Sequence, residues 1–283
     1  MRKSKRAAAL ILALLVLTGC GGRLDESALG DFDLISEYMK THAEAIITDT
    51  TKIFECDARA ISGNANAEQI TNLYLESFAA GKENGYVPVL VFLDDILERE
   101  INLFFEDKDR ESYLQETLSS ERTDGKGLLD KRYSELEEYF GEELLINDAE
   151  LDTMLSLYGN SVGGKLLPST DHYDGEMYLV KVPADNPFEV FAWLPFGGWN
   201  ECPGTNEMIS ICEYWYKEYG AVPAAITRDT LTFYLSDPVS DKAAAVKAAK
   251  EQCAFSSEVL GMGGISSYVL MTLNSNVWTF WWD

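Results

Sequence analysis

The stretch Phe196-Gly197-Gly198-Trp199-Asn200-Glu201-Cys202-Pro203-Gly204 gathers an indole, an amide, a carboxylate and a thiol in one short loop. Two glycines allow such a loop to approach other backbone closely, so it can line a pocket. Trp199 would then be a wall, with Asn200 and Glu201 as polar handles. The same residues also suit a rigid β-to-α connection. If chemistry occurs here, Cys202 is the nucleophile to consider, with Glu201, Asp229 or Glu251 as acid–base groups. The chain has only two histidines, His42 and His172. That excludes a His-rich metal site and leaves no His beside Cys202. Asp94-Asp95 with Glu98 could pair carboxylates, but acidic residues at a helix start are favoured by the helix dipole alone. Asp171, Asp174 and Gly175 suggest a calcium loop yet lack its later Glu, and read as a turn. There is no G-x-S-x-G elbow, no phosphate-cradling Gly loop with Lys and no H-E-x-x-H. No cofactor and no metal is expected.

The C-terminal run Val277-Trp278-Thr279-Phe280-Trp281-Trp282-Asp283 alternates. Trp278, Phe280 and Trp282 fall on one face; Thr279, Trp281 and Asp283 fall on the other. A central strand buried on both faces accounts for this pattern. A Trp-lined groove for peptide or glycan, with Trp281 in contact, is the functional rival.

The N-terminus reads as an address. Arg2, Lys3, Lys5 and Arg6 precede an apolar run from Ala7 to Leu17. As a helix that run spans about 16 Å, short of a bilayer core of ~30 Å, which fits a signal h-region. Leu17-Thr18-Gly19-Cys20 then resembles the lipobox of bacterial lipoproteins, in which the Cys thiol receives diacylglycerol before cleavage just upstream. The expected organisation is a signal peptide at 1–19, a lipid on Cys20 and a polar tether over 20–30. The expected place is the cell envelope, anchored on the extracytoplasmic side of a membrane. Cys56, Cys202, Cys212 and Cys253 remain. An exported chain permits disulfides among them, and buried free thiols are the equal alternative.

The elements that must position these residues follow from periodicity. Residues 31–160 read as a mostly helical acidic region with one buried strand near 87–93, followed by helices near 108–121 and 127–145. Leu34, Ile35, Tyr38 and Met39, then Ile70, Leu73, Tyr74 and Phe78, recur at helical intervals. Residues 161–283 read as an α+β domain. Strands are expected at Met177–Val182, Phe188–Leu194, Ala224–Thr227, Leu231–Leu235 and Val277–Trp282. Helices are expected at Asn206–Gly220, after Asp241 and at Ser266–Asn274. The order β-β-α-β-β-α-α-β gives a mixed or antiparallel sheet with flanking helices. The strand near 87–93 points to one sheet shared by both regions.

A family resemblance rests on several of these runs together. Trp193-Leu194-Pro195 with Gly197 to Pro203, then Tyr214-Trp215 with Tyr219-Gly220-Ala221, resembles the domain of unknown function 4253 family. Thr227-Arg228-Asp229-Thr230, the Ala-rich helix with Lys250-Glu251-Gln252 and the ending Trp278 to Asp283 complete the likeness over Val182–Asp283. The family usually has an aromatic at the position of Cys253 and a Cys-Pro-Asp-like segment at Ser256, Ser257 and Glu258. A pairing of Cys202 with a second family Cys therefore has only Cys253 to draw on here. The resemblance implies a fold unit and candidate positions, and it brings no reaction with it.

Charge narrows the partners. The chain carries 23 basic against 47 acidic side chains, a net charge of −24, and cleavage before Cys20 would take it to −28. Such a body repels nucleic acid and anionic headgroups, so no nucleic acid is expected, and contact with membrane is expected only through the lipid. The reading is an acidic binding protein, immunity-like or envelope-associated, that masks a basic protein or peptide through Trp199, Asn200, Glu201, Cys202, Asp229, Glu251 and Trp281. The alternative is a hydrolase or thiol-dependent enzyme using the Gly-Gly-Trp-Asn-Glu-Cys-Pro loop.

Overall fold

The computed structural model describes residues 53–158, 165–167, 174–262 and 264–282. The elements below belong to one compact unit, Asp49–Asp283. The signal run, Cys20, the 20–30 tether, the helical pattern at 34–39, His42, Asp171, His172 and Asp283 lie outside the described residues.

Six strands form one mixed sheet: β1 (Asp57–Ala60), β2 (Val87–Asp94), β3 (Gly175–Val182), β4 (Ala221–Ile226), β5 (Thr230–Leu235) and β6 (Val277–Trp281). Their order is β1-β3-β2-β4-β5-β6. Only the β2–β4 pair is parallel; the other neighbours are antiparallel. The fold class is therefore α+β, and one sheet draws strands from both sides of residue 161. β2, Val-Pro-Val-Leu-Val-Phe-Leu-Asp, is buried along its whole length, as a continuous apolar run requires of an inner strand.

Helices cover both faces. On one side lies α1 (Ala67–Asn84), started by a capping box between Asn66 and Gln69. Its Tyr74 packs with Leu90, Leu179 and Ala224 of the sheet. The larger core fills the other face. It includes α2 (Asp95–Phe105), where Asp94 accepts from the backbone N–H groups of Ile96 and Leu97 while Leu97 and Ile101 turn inward. Two further acidic helices follow, α3 (Arg110–Ser119) and α4 (Gly125–Phe140), capped by Asp109 and Asp124. Then come α5 (Asp148–Tyr158), α6 (Val190–Trp193), α7 (Thr205–Tyr219), α8 (Lys242–Phe255) and α9 (Gly264–Thr272). The small residues Ala245, Ala248 and Ala249 are fully buried where α8 packs on α9 and α4. At Gly125 a Cβ would stand 2.1 Å from the Ser210 carbonyl oxygen, so α4 and α7 touch backbone to backbone there.

Two expectations need correction. Phe188–Leu194 is not a strand: Pro187–Glu189 is a 3-10 turn that runs into α6. Asn186 and Glu189 form a capping box, with Pro187 in the first helical turn. Periodicity was silent because Phe188, Val190, Phe191, Ala192 and Leu194 are all buried. The domain order is accordingly β-α-α-β-β-α-α-β, counting the short α6. The terminal strand is not central either, since β6 closes the sheet at one edge. Trp278, Phe280 and Trp282 are buried, whereas Thr279 and Trp281 are half-buried. Trp215 of α7 stacks on Phe280 at 5.5 Å between ring centres and meets Trp278 edge-on at 5.5 Å. Each large side chain buried this way contributes about 1.5–3 kcal/mol, enough to hold an edge strand by one face.

The outward carbonyls of β6 are covered by side chains. The carbonyl of Val277 accepts from the Ser275 hydroxyl at 2.7 Å, that of Thr279 from the Tyr268 hydroxyl at 3.4 Å and that of Trp281 from the Ser256 hydroxyl at 2.9 Å. Three successive outward carbonyls thus have side-chain donors.

Candidate functional site

The loop between α6 and α7 is closed on itself. The N–H of Cys202 donates to the Trp199 carbonyl at 2.9 Å, and the N–H of Gly198 to the Cys202 carbonyl at 3.2 Å. Gly197 sits at φ 90, with the space its Cβ would need 2.1 Å from the Pro203 carbonyl oxygen and 2.9 Å from the Cys202 sulfur. Only glycine fits that approach. Phe196 anchors the loop from below, edge-on to Trp199 at 5.0 Å and to Trp282 at 5.7 Å. Trp282 in turn meets Phe255 at 5.3 Å. The Gly-Gly-Trp loop, the end of α8 and the terminal strand therefore share one aromatic seam.

A cleft of about 730 Å³ lies against this loop, lined by Gly198, Asn200, Glu201 and Cys202 on one side. The far wall is the last half of α4, with Arg132, Glu135, Tyr139 and Phe140, and the floor includes Phe255 and Ser257. Arg132 spans the two walls: Nη2 donates to Glu207 Oε2 of α7 at 2.9 Å and Nη1 to the Glu201 carbonyl at 3.2 Å. Glu201 Oε2 accepts from the Ser257 hydroxyl at 2.6 Å. Glu135 pairs with Lys131 at 3.8 Å on the surface. Tyr139 is 83% exposed and meets Phe140 edge-on at 4.9 Å. Three carboxylates and one guanidinium thus line the cleft beside an exposed ring.

The residues singled out by sequence separate into four places. Asn200, Glu201 and Cys202 line the cleft, whereas Trp199 is absent from its lining and rests on Phe196. Glu251 is 6% exposed inside a ring of donors. Its oxygens accept from the Tyr214 hydroxyl at 2.8 Å, the Tyr219 hydroxyl at 3.0 Å and the Trp215 indole at 3.1 Å, with Lys247 at 4.0 Å. Burial raises its pKa, and those donors pull the other way. The arrangement ties α7 to α8 and does not line the cleft. Asp229 accepts from the hydroxyls of Thr227 and Thr230, each at 3.0 Å. It also faces Arg228, which reaches Asp94 at 3.4 Å; this cluster is at the ends of β2 and β4. Trp281 lies on the opposite face of β6 from the aromatic seam. Arg132, Glu135, Tyr139, Phe140, Glu207 and Ser257 escaped sequence reasoning. The adjacent aromatics Tyr139-Phe140 at the end of a polar helix were the available signal.

Cys56, Cys202, Cys212 and Cys253 are all free thiols, which decides the disulfide question for these four. Burial pushes the Cys202 thiol far above its ordinary value, only partly opposed by Arg132 and the Gly198 N–H. That is the reverse of what a thiolate nucleophile needs. Among the described residues no three His, Cys, Asp or Glu side chains gather as a metal-binding set. None of the described helices is long and apolar enough to cross a membrane.

Residues 178–283 match the family described as Domain of unknown function (DUF4253). The matched segment opens inside β3 and runs to the end of the chain, so it holds the Gly-Gly-Trp loop, α7, α8 and β6. It leaves out β2 and α4. The cleft therefore has one wall within the matched segment and one outside it. No curated protein and no solved structure is significantly similar to the chain.

Proposed function

We propose that this chain is a lipid-anchored, extracytoplasmic recognition protein whose cleft between α4 and the Gly-Gly-Trp loop takes a basic protein or peptide. The observation that supports the reading most directly is the lining of that cleft. Glu135, Glu201 and Glu207 line it with Arg132 as the one basic residue, which pairs with Glu207, beside the exposed ring of Tyr139. A cation entering there gains carboxylates and an aromatic face together. The net charge of −24 would speed capture of a cationic partner and make it salt-sensitive. The anchor is the part read from Cys20 and its lipobox-like surroundings.

The test is capture from envelope extract by the detergent-solubilised chain, wild type beside a Glu201→Gln, Tyr139→Ala double variant. A basic protein held by wild type at low salt is expected to be lost from the variant and also in about 0.5 M salt, where the Debye length falls to a few ångströms. Equal capture by both proteins would remove the cleft from the proposal. Failure of wild type to hold any basic protein at low salt would remove the cationic partner. For the anchor, a fatty-acid label should enter the wild-type protein and not Cys20→Ala; label in both would defeat it.

A further inference from the structure

Resting on the reading of the cleft as a site for a cation, we infer that Arg132 is an internal stand-in for an arginine of the partner, and that the cleft selects guanidinium over ammonium groups. Two acceptors facing α4, one on the loop and one on α7, show the chemistry they fit, because a guanidinium already occupies them. The Glu207 carboxylate takes one Nη of Arg132 at 2.9 Å and the Glu201 carbonyl takes the other at 3.2 Å. A planar fork with donors in fixed directions satisfies both at once, whereas an ammonium is a point charge on a flexible stem. The occupant is not locked in. The side chains of Arg132 and Glu207 are 24% and 44% exposed, so water reaches both, and exchanging one guanidinium for another costs little. Arg132 projects from α4 and meets the opposite side through these two bonds, so breaking them frees both acceptors. The Tyr139 and Phe140 rings stand on the same wall, ready to cover the face of the newcomer. The carboxylates of Glu135 and Glu201 supply further negative charge.

The experiment is titration of the full-length chain in detergent with hexa-arginine and hexa-lysine peptides at low salt, comparing wild type with Arg132→Gln. Wild type should bind hexa-arginine about threefold more tightly than hexa-lysine. Removing the stand-in should raise hexa-arginine affinity about fivefold while changing hexa-lysine affinity by less than about twofold. An equal gain for both peptides would mean that Arg132 only repels cations, and would overturn the inference. An unchanged or weaker hexa-arginine affinity in a variant with a normal thermal transition would make Arg132 a brace between α4 and the loop, and would also overturn it. Should Arg132→Gln fail to fold, Glu207→Gln decides. It must weaken hexa-arginine more than hexa-lysine, and an equal loss overturns the selection. If wild type binds neither peptide, the cationic reading of the cleft falls first and this inference falls with it.

Discussion

Glu251 and Cys202 carry reactive groups, and their surroundings assign them different work. The Glu251 carboxylate accepts from three side-chain donors and has Lys247 nearby. A buried carboxylate so supplied is a clamp between helices, because removing one partner would leave the others without theirs. Cys202 is 5% exposed, and its thiol is held in the neutral form by burial. The same holds for Cys56 and Cys253, each pushed up to about 12, and for the fully enclosed Cys212. At about pH 7.5 the thiolate fraction at such sites is on the order of one in ten thousand or less. Alkylation of these four cysteines should therefore be slow in native buffer, quicken as pH rises and finish at once in denaturant. Mass spectrometry after a brief iodoacetamide pulse would check this. Rapid native labelling of Cys202 would reopen its candidacy as a nucleophile.

At the scale of elements, the loop from Pro195 to Gly204 is the most constrained part of the candidate site. Gly197→Ala must fit a Cβ into space 2.1 Å from the Pro203 carbonyl oxygen at φ 90. We expect a loss of roughly 2–4 kcal/mol, read by thermal unfolding, with the Trp199 and Trp282 fluorescence changed as Phe196 shifts. An unaltered transition would show that the loop yields. This loop was legible in sequence because its glycines, Cys and Pro cannot all be accommodated by a plain connection. The helix starts were legible as well, since Asp94 and Asp241 announce their caps. What stayed hidden depends on distant partners. β1, Asp-Ala-Arg-Ala, alternates charges only with alanines of low strand propensity and buries no side chain fully; it exists because β3 pairs with it, helped by the Lys181–Asp57 ion pair at 2.8 Å. The α4 wall of the cleft was hidden for the same reason. Arg132 is an ordinary surface residue of a polar helix until α7 brings Glu207 to it.

For the whole molecule, the decisive fact is that β2 lies between β3 and β4. The segment 178–283 contains β4 and most of β3, but without β2 those strands have no common neighbour. Leu90, Val91 and their companions would leave an apolar slot in the middle of the sheet. Expressed alone, residues 178–283 should lack a cooperative thermal transition and bind a hydrophobic dye. A sharp transition with dispersed amide resonances would show that the segment closes its sheet another way. The interleaving also sets the tempo of folding. Arg228 meets Asp94 across 134 positions of sequence, and the parallel β2–β4 pair it accompanies is as remote. Contacts this non-local pay their loop-closure entropy before any pairing repays it. The central strands can therefore join only after most of the chain has emerged, which keeps the polypeptide threadable until its last elements are made.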